Sequence, residues 1–394
     1  MDFKLSPQLQ EVVDRAEKVG RECLGPRAAQ VDAEGKHPVE GWRDVWKNGL
    51  LAMSAPKEYG GLGLDVLGTT MVLEKLAIGC PNTAISFNMH TVVLRYIGAL
   101  GSHEQKKRYF SEVVDHGKLI GSWGSEPGRH GGAGMVQTTI ERVKGGYVIN
   151  GLKHFCTMAG ACQYAMIHCN FKNPKNERQI LMAVIPTNTP GVTLSGDWNV
   201  MGMRGTISPV ATFKDCFVQE DWVLGKPGEA EEPHVGVGQS FGIGDAAVYL
   251  GIAESALEYA KEYVKTHKYD PDPAPMSHSP IIQRHIAEMA LAVQGAQLVM
   301  YHSASRFFDV DLINRSIMGA RAKYLATEAA LMVTSRALQA CGGRLAHKRY
   351  PLERHFRDAR TGTLMPPNPD RCLEIAGRAE LGHYEMLQTL RHSS

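Results

Sequence analysis

The sequence predicts an α+β protein with an N-terminal helical domain, a central β-sandwich or barrel domain and a C-terminal four-helix bundle. Three observations carry that reading. Apolar residues repeat with a helical period up to residue 119, with a period of two from 120 to 225, and with a helical period again, in longer runs, from 226 to 394. Domains at 1–119, 120–225 and 226–394 follow from those two changes of period.

The first helix starts at Ser6-Pro7, a side-chain cap followed by a proline suited to the first helical position. Behind it Leu9, Val12, Val13, Ala16 and Val19 make one apolar stripe. Further helical stripes run from Val66 to Ile78 and from Ile85 to Leu100. The glycines of Glu58-Tyr59-Gly60-Gly61-Leu62-Gly63 mark a turn, and because a helical pattern precedes them they do not form a dinucleotide-binding loop.

In the middle zone Gly145-Gly146 turns the chain into the strand Tyr147-Val148-Ile149. Ile180 to Ile185, ahead of Pro186, is a continuous apolar run of strand length. Val210 to Phe217 alternates and stops at Gln219-Glu220-Asp221. In the last zone Ala246, Ala247, Leu250, Ala253, Leu257, Ala260 and Val264 share a helix face, ended by the proline-rich loop Asp270–Pro275. Long helical segments at 280–308 and 312–340 follow, then a shorter one after Pro369. Four antiparallel helices bury such stripes against one another.

Composition narrows the function. With 43 basic and 41 acidic side chains the formal charge is +2, which gives no field for nucleic acid or an anionic membrane. The eight cysteines contain no C-x-x-C pair, and no H-E-x-x-H spacing appears, so no metal is expected. No apolar run is long enough for a membrane span, and the N-terminus lacks the apolar core of a signal peptide, so a cytoplasmic enzyme is expected.

Four motif groups occur in order. They are Ser125-Glu126-Pro127-Gly128; Asn150-Gly151 with Lys153, Phe155, Cys156 and Thr157; Gly202-Met203-Arg204-Gly205-Thr206 with Val223-Leu224-Gly225; and Gln339-Ala340-Cys341-Gly342-Gly343-Arg344 with Arg357-Asp358-Ala359-Arg360. Together they resemble the acyl-CoA dehydrogenase superfamily, including its flavin-dependent monooxygenase branch, over nearly the whole chain. The resemblance implies a flavoprotein oxidoreductase that carries FAD, or FMN or reduced flavin on the monooxygenase reading. It also implies an acyl-CoA or acyl-carrier thioester as substrate and a homotetramer arranged as a dimer of dimers. Ser125, Phe155 and Thr157 would meet the flavin ring, the aromatic covering a face and the hydroxyls the polar rim. His267, Gln339, Gly342, Gly343 and Asn368 would serve the rest of the cofactor. Gly342-Gly343 would let backbone approach a pyrophosphate, although such a pair also ends helices.

The sequence departs from the family at its base. The usual glutamate lies eight residues after the aspartate of R-D-A, which here is Pro366. The alternative position, nine residues before Leu250-Gly251, is Phe241. Asp245, one turn further along that helix face, is the candidate catalytic acid–base residue, against its reading as a helix cap. His90 is the second catalytic candidate, against its reading as a structural histidine. His130-Gly131-Gly132 replaces the family's G-S-D, and His267 replaces an arginine. Three functions follow in order: α,β-desaturation of an acyl thioester with the usual glutamate absent; a two-component reduced-flavin monooxygenase; a catalytically inactive dehydrogenase-like subunit.

Overall fold

A computed structural model describes residues 5–127, 136–173, 175, 179–232, 235–271 and 273–385. The chain opens with helices α1 (Pro7–Lys18), α2 (Gly25–Glu34), α3 (Val39–Lys47), α4 (Val66–Gly79), α5 (Pro81–Leu100) and α6 (His103–Val114). Ser6 caps α1 by accepting the Leu9 N–H at 3.2 Å. A π-helical turn, Val19–Leu24, joins α1 to α2. Glycine is required there, since a Cβ on Gly79 of α4 would lie 1.9 Å from the Gly20 carbonyl. Helices α4 and α5 are buried almost all round rather than along one stripe, because other elements cover every side of them.

Eight strands follow: β1 (Ile120–Trp123), β2 (Thr139–Val143), β3 (Gly146–Lys153), β4 (Tyr164–Phe171), β5 (Ile180–Pro186), β6 (Val192–Ser195), β7 (Val210–Gln219) and β8 (Val223–Leu224). They form one hydrogen-bonded path, β6-β7-β3-β2-β4-β5-β8, with β1 added beside β4. The β1–β4 and β2–β4 pairings are parallel, so the sheet is mixed. Among the described residues the path runs from β6 to β8 with no pairing recorded between its ends. Every residue of β5 before Pro186 is buried, which explains its unbroken apolar run. Helix α6 anchors to this sheet: the Tyr109 hydroxyl donates to the Val184 carbonyl at 2.7 Å, and Gln105 donates to the carbonyls of Asp221 and Val223.

The last part holds α7 (Ser240–Thr266), α8 (Pro280–Ser305), α9 (Leu312–Cys341), α10 (Pro351–Gly362) and α11 (Pro369–Glu380). Helix α7 packs on α9 and α8 within the bundle and on α4 and α5 of the first part. Small residues permit this. A Cβ on Gly244 would lie 2.0 Å from Asn88 Oδ1, and one on Gly251 would lie 2.6 Å from the Glu74 carbonyl. The bundle and the N-terminal helices therefore share one continuous core.

Candidate active site

Two loops meet at one end of the β3–β7 strand pair. The segment after β3 carries Phe155 and Thr157, and the segment before β7 carries Met203 to Pro209. The Cys156 N–H donates to the Pro209 carbonyl at 3.1 Å, and the Met158 N–H to the Thr206 carbonyl at 3.1 Å. The Thr157 and Ser208 hydroxyls lie 3.0 Å apart. Ser125 joins the group through its carbonyl, which accepts the His154 N–H at 2.9 Å. Ser125, Phe155 and Thr157 are thus brought to one place. Phe155 is 65% exposed and holds a left-handed φ of 52°, a conformation disfavoured for a bulky side chain. Met158, Met203 and Ile207 share that strain at φ 67°, 53° and 37°. Such strain persists only where surrounding contacts impose it, and it gathers at ligand-binding surfaces. Beside Phe155, at 6.2 Å between ring centroids, Trp198 has a buried indole N–H without an acceptor among the described residues. An open aromatic face, an unclaimed donor and an exposed serine fit the face and polar edge of a flavin ring.

A second group lies in the bundle interior. Asp245 sits within α7, whose N-cap is Gln239, so it is not the cap of that helix. Its Oδ1 accepts from Asn88 Nδ2 at 3.0 Å, and its Oδ2 is ion-paired with Lys323 Nζ at 3.5 Å. Both charged side chains are buried. Burial lifts the Asp245 carboxyl to about 6, against the opposing pull of Lys323 and Asn88. The same burial lowers the Lys323 amine, and Asp245 opposes that shift. Lys323 also donates to the carbonyls of Met365 (2.8 Å) and Pro366 (3.1 Å), so it ties α9 to the segment where the family glutamate would fall. Tyr249, one turn after Asp245, donates to Met365 Sδ at 2.9 Å. Its phenol is held above the ordinary range by burial and by the carboxylates of Asp245 and Asp358.

The remaining candidates lie elsewhere. His90 is buried, and its Nδ1 accepts the Ile120 N–H at 3.0 Å, tying α5 to the start of β1. Burial pushes its imidazole down to about 4, so the ring is neutral near pH 7. It fastens the two parts of the fold, and the hydrogen bond occupies one of its two nitrogens. His267 ends α7 and stacks on Tyr263 with centroids 4.7 Å apart. Tyr269 meets His267 edge-on at 5.1 Å, and a Cβ on Gly342 would lie 3.1 Å from the Tyr269 hydroxyl. His267 and Gly342 therefore share a surface with Gly343, while Gln339 is exposed on the last turn of α9. Gly342, at φ 88°, also stops α9. The Asn368 side chain accepts the Arg371 N–H at 2.9 Å and caps α11. His130, Gly131 and Gly132 lie outside the described residues.

Sequence reasoning missed Lys323, Asn88 and the pair formed by Lys153 and Glu126. Lys323 did leave a signal, a lysine in phase with the buried stripe Ala320, Ala326 and Ala330. Glu126, from the first motif group, is buried 2.6 Å from Lys153 Nζ and accepts the backbone N–H groups of Gln137 and Thr138. No group of histidine, cysteine or acidic side chains suited to a metal occurs among the described residues. No helix among them is long and apolar enough to cross a membrane.

Comparison with known proteins bears on this geometry. Residues 6–116, 121–216 and 243–365 match the family models described as the N-terminal, middle and C-terminal domains of acyl-CoA dehydrogenase. The human mitochondrial short-chain specific acyl-CoA dehydrogenase is 33% identical over 89% of this chain and 84% of its own. The structure of butyryl-CoA dehydrogenase from Megasphaera elsdenii superposes with a TM-score of 0.87 at 27% identity, covering 97% of this chain and 100% of that one. FMN-bound TdsC, a dibenzothiophene monooxygenase from a Paenibacillus species, superposes at 0.86 with 26% identity, covering 95% and 98%.

Proposed function

The chain belongs to the acyl-CoA dehydrogenase family, a flavoprotein oxidoreductase fold, and from that premise we propose that it desaturates an acyl thioester with Asp245 as proton acceptor. The single observation behind the assignment is the fully buried carboxylate whose Oδ2 has only the Lys323 ammonium beside it, at 3.5 Å, among the described residues. That oxygen belongs to the same cluster as the segment holding Pro366, where the family glutamate would stand.

A bound FAD supplies the hydride acceptor. The chain supplies the rest. The α-carbon proton passes to Asp245 Oδ2, and its bonding pair becomes the second Cα–Cβ bond. The β-carbon hydrogen leaves with its own electron pair, so the thioester is retained and two electrons depart. An Asp245 carboxyl near 6 is ionised at neutral pH yet basic enough to hold a proton. Lys323 lowers that value and Asn88 fixes the orientation of the carboxylate. Phe155 and Trp198 would cover the ring, with Ser125 and Thr157 at its polar rim. His267, Gln339, Gly342 and Gly343 would meet the pyrophosphate at a subunit contact, within a homotetramer. Exposure of Gln339, Gly343, and of Ile281, Leu291 and Leu298 on α8, supports that assembly.

Asp245→Asn tests the role. In flavin-loaded enzyme it should slow acyl-CoA-dependent loss of flavin absorbance by about 10²–10⁴-fold with flavin binding retained. An unchanged rate removes Asp245 from the reaction. Proline at 366 favours a second reading, a reduced-flavin monooxygenase, which requires no α-proton base. Dioxygen uptake dependent on reduced flavin and an aromatic substrate, with no reaction towards acyl-CoAs, would select it.

A further inference from the structure

Asp358, on α10, is fully buried, and its Oδ1 accepts the Met203 N–H at 2.5 Å. Met203 is one of the strained left-handed residues, and it opens the segment that hydrogen-bonds the loop carrying Phe155 and Thr157. The connection can be followed bond by bond. Gly202 lies so close to α10 that a Cβ there would be 2.2 Å from the Arg357 carbonyl. Past Met203, the Gly205 N–H is held by Asn82 Oδ1 of α5 at 2.8 Å. Thr206 and Pro209 then accept from Met158 and Cys156, and Ser208 meets the Thr157 hydroxyl. Between these bonds the chain passes through Phe155, Met158, Met203 and Ile207, each at positive φ. Each such conformation is unfavourable for a residue that carries a side chain, so the loops keep this shape only if anchored at several points. Two of the anchors, Asn82 and Asp358, belong to helices outside the sheet.

We propose that Asp358 is a positioning residue for the flavin: its bond to Met203 sets the 202–209 segment, which in turn sets Phe155 and Thr157 against the ring. The inference rests on flavin binding at that face and is independent of which group removes the α-proton. Arg357, beside it, pairs with Asp32 and Glu353 and donates to the Met201 carbonyl at 2.9 Å; as a donor it does not take the place of Asp358 as acceptor of the Met203 N–H.

The test uses full-length protein stripped of flavin, with FAD as the probe. Asp358→Ala should weaken FAD binding by roughly tenfold or more and alter the visible circular dichroism of the bound flavin. Asp358→Asn keeps an oxygen acceptor for the Met203 N–H and should restore affinity to within about threefold of the parent and recover its spectrum. Parental affinity and spectrum in Asp358→Ala would overturn the proposal. So would an equal loss of affinity in both variants that tracks an equal drop in Tm, since that describes a purely structural residue. If Asp358→Ala does not fold, Gly202→Ala displaces the same segment from Arg357 with the carboxylate in place. The same loss of FAD affinity is then expected, and parental affinity would refute it.

Discussion

Replacing Lys323 with methionine removes the cation from the buried pair while keeping a side chain of similar length. Lys323 is 1% exposed and Asp245 is fully buried, with Nζ 3.5 Å from Oδ2, so solvent screens their attraction little. The Asp245 carboxyl stands at about 6, above the ordinary aspartate value of 3.8. A raised acid binds its proton more tightly in the folded state, so this carboxyl's contribution to folding stability is greatest below 3.8, falls as pH rises to 6 and then levels. Without Lys323 the carboxyl rises further, and the fall extends to higher pH. Loss of a buried opposite charge at this distance corresponds to about 1–3 kcal/mol. The substitution should therefore cost about 1–3 kcal/mol more at pH 8 than at pH 5, beyond a pH-independent loss from the two abandoned carbonyl hydrogen bonds. Urea unfolding of the flavin-loaded protein at the two pH values measures this, with Asp245→Asn as background control, in which the pH-dependent part should vanish. An equal cost at pH 5 and pH 8 would refute the coupling between the two side chains.

Phe155→Gly relieves a left-handed φ of 52° and removes an exposed ring, so the flavin-free protein should gain about 1 kcal/mol in stability while FAD binding weakens. Loss of stability in the flavin-free form would contradict the strain reading. His90→Ala leaves the Ile120 N–H without its acceptor and should cost about 1–3 kcal/mol, with the pH profile of flavin reduction unchanged. A shift of that profile would restore His90 as a proton-transfer group.

Element types and their order were legible because the apolar period changes twice, and long helices such as α7 and α9 carry it over many turns. The π-helical turn at Val19–Leu24 was not legible, because it follows from the close crossing at Gly20 and Gly79, a tertiary contact. The parallel partners of β4 were equally hidden, since pairing across distant segments leaves no local signature. At the site, the motif order located Ser125, Phe155 and Thr157 together, and the left-handed backbone that presents Phe155 emerged only with the fold. Asp245 could be found by counting turns from Phe241, but its partners could not. Asn88 and Lys323 lie 157 and 78 residues away in sequence and meet it only through the packing of α5 and α9 on α7.

Anaerobic titration of the FAD-loaded protein with a series of acyl-CoAs, followed by visible absorbance, addresses the desaturation reading at its root. Stoichiometric loss of the flavin band with at least one thioester, and recovery of the matching enoyl product, is the predicted result. A flavin band that no thioester diminishes, in protein that holds FAD at full occupancy, would contradict it.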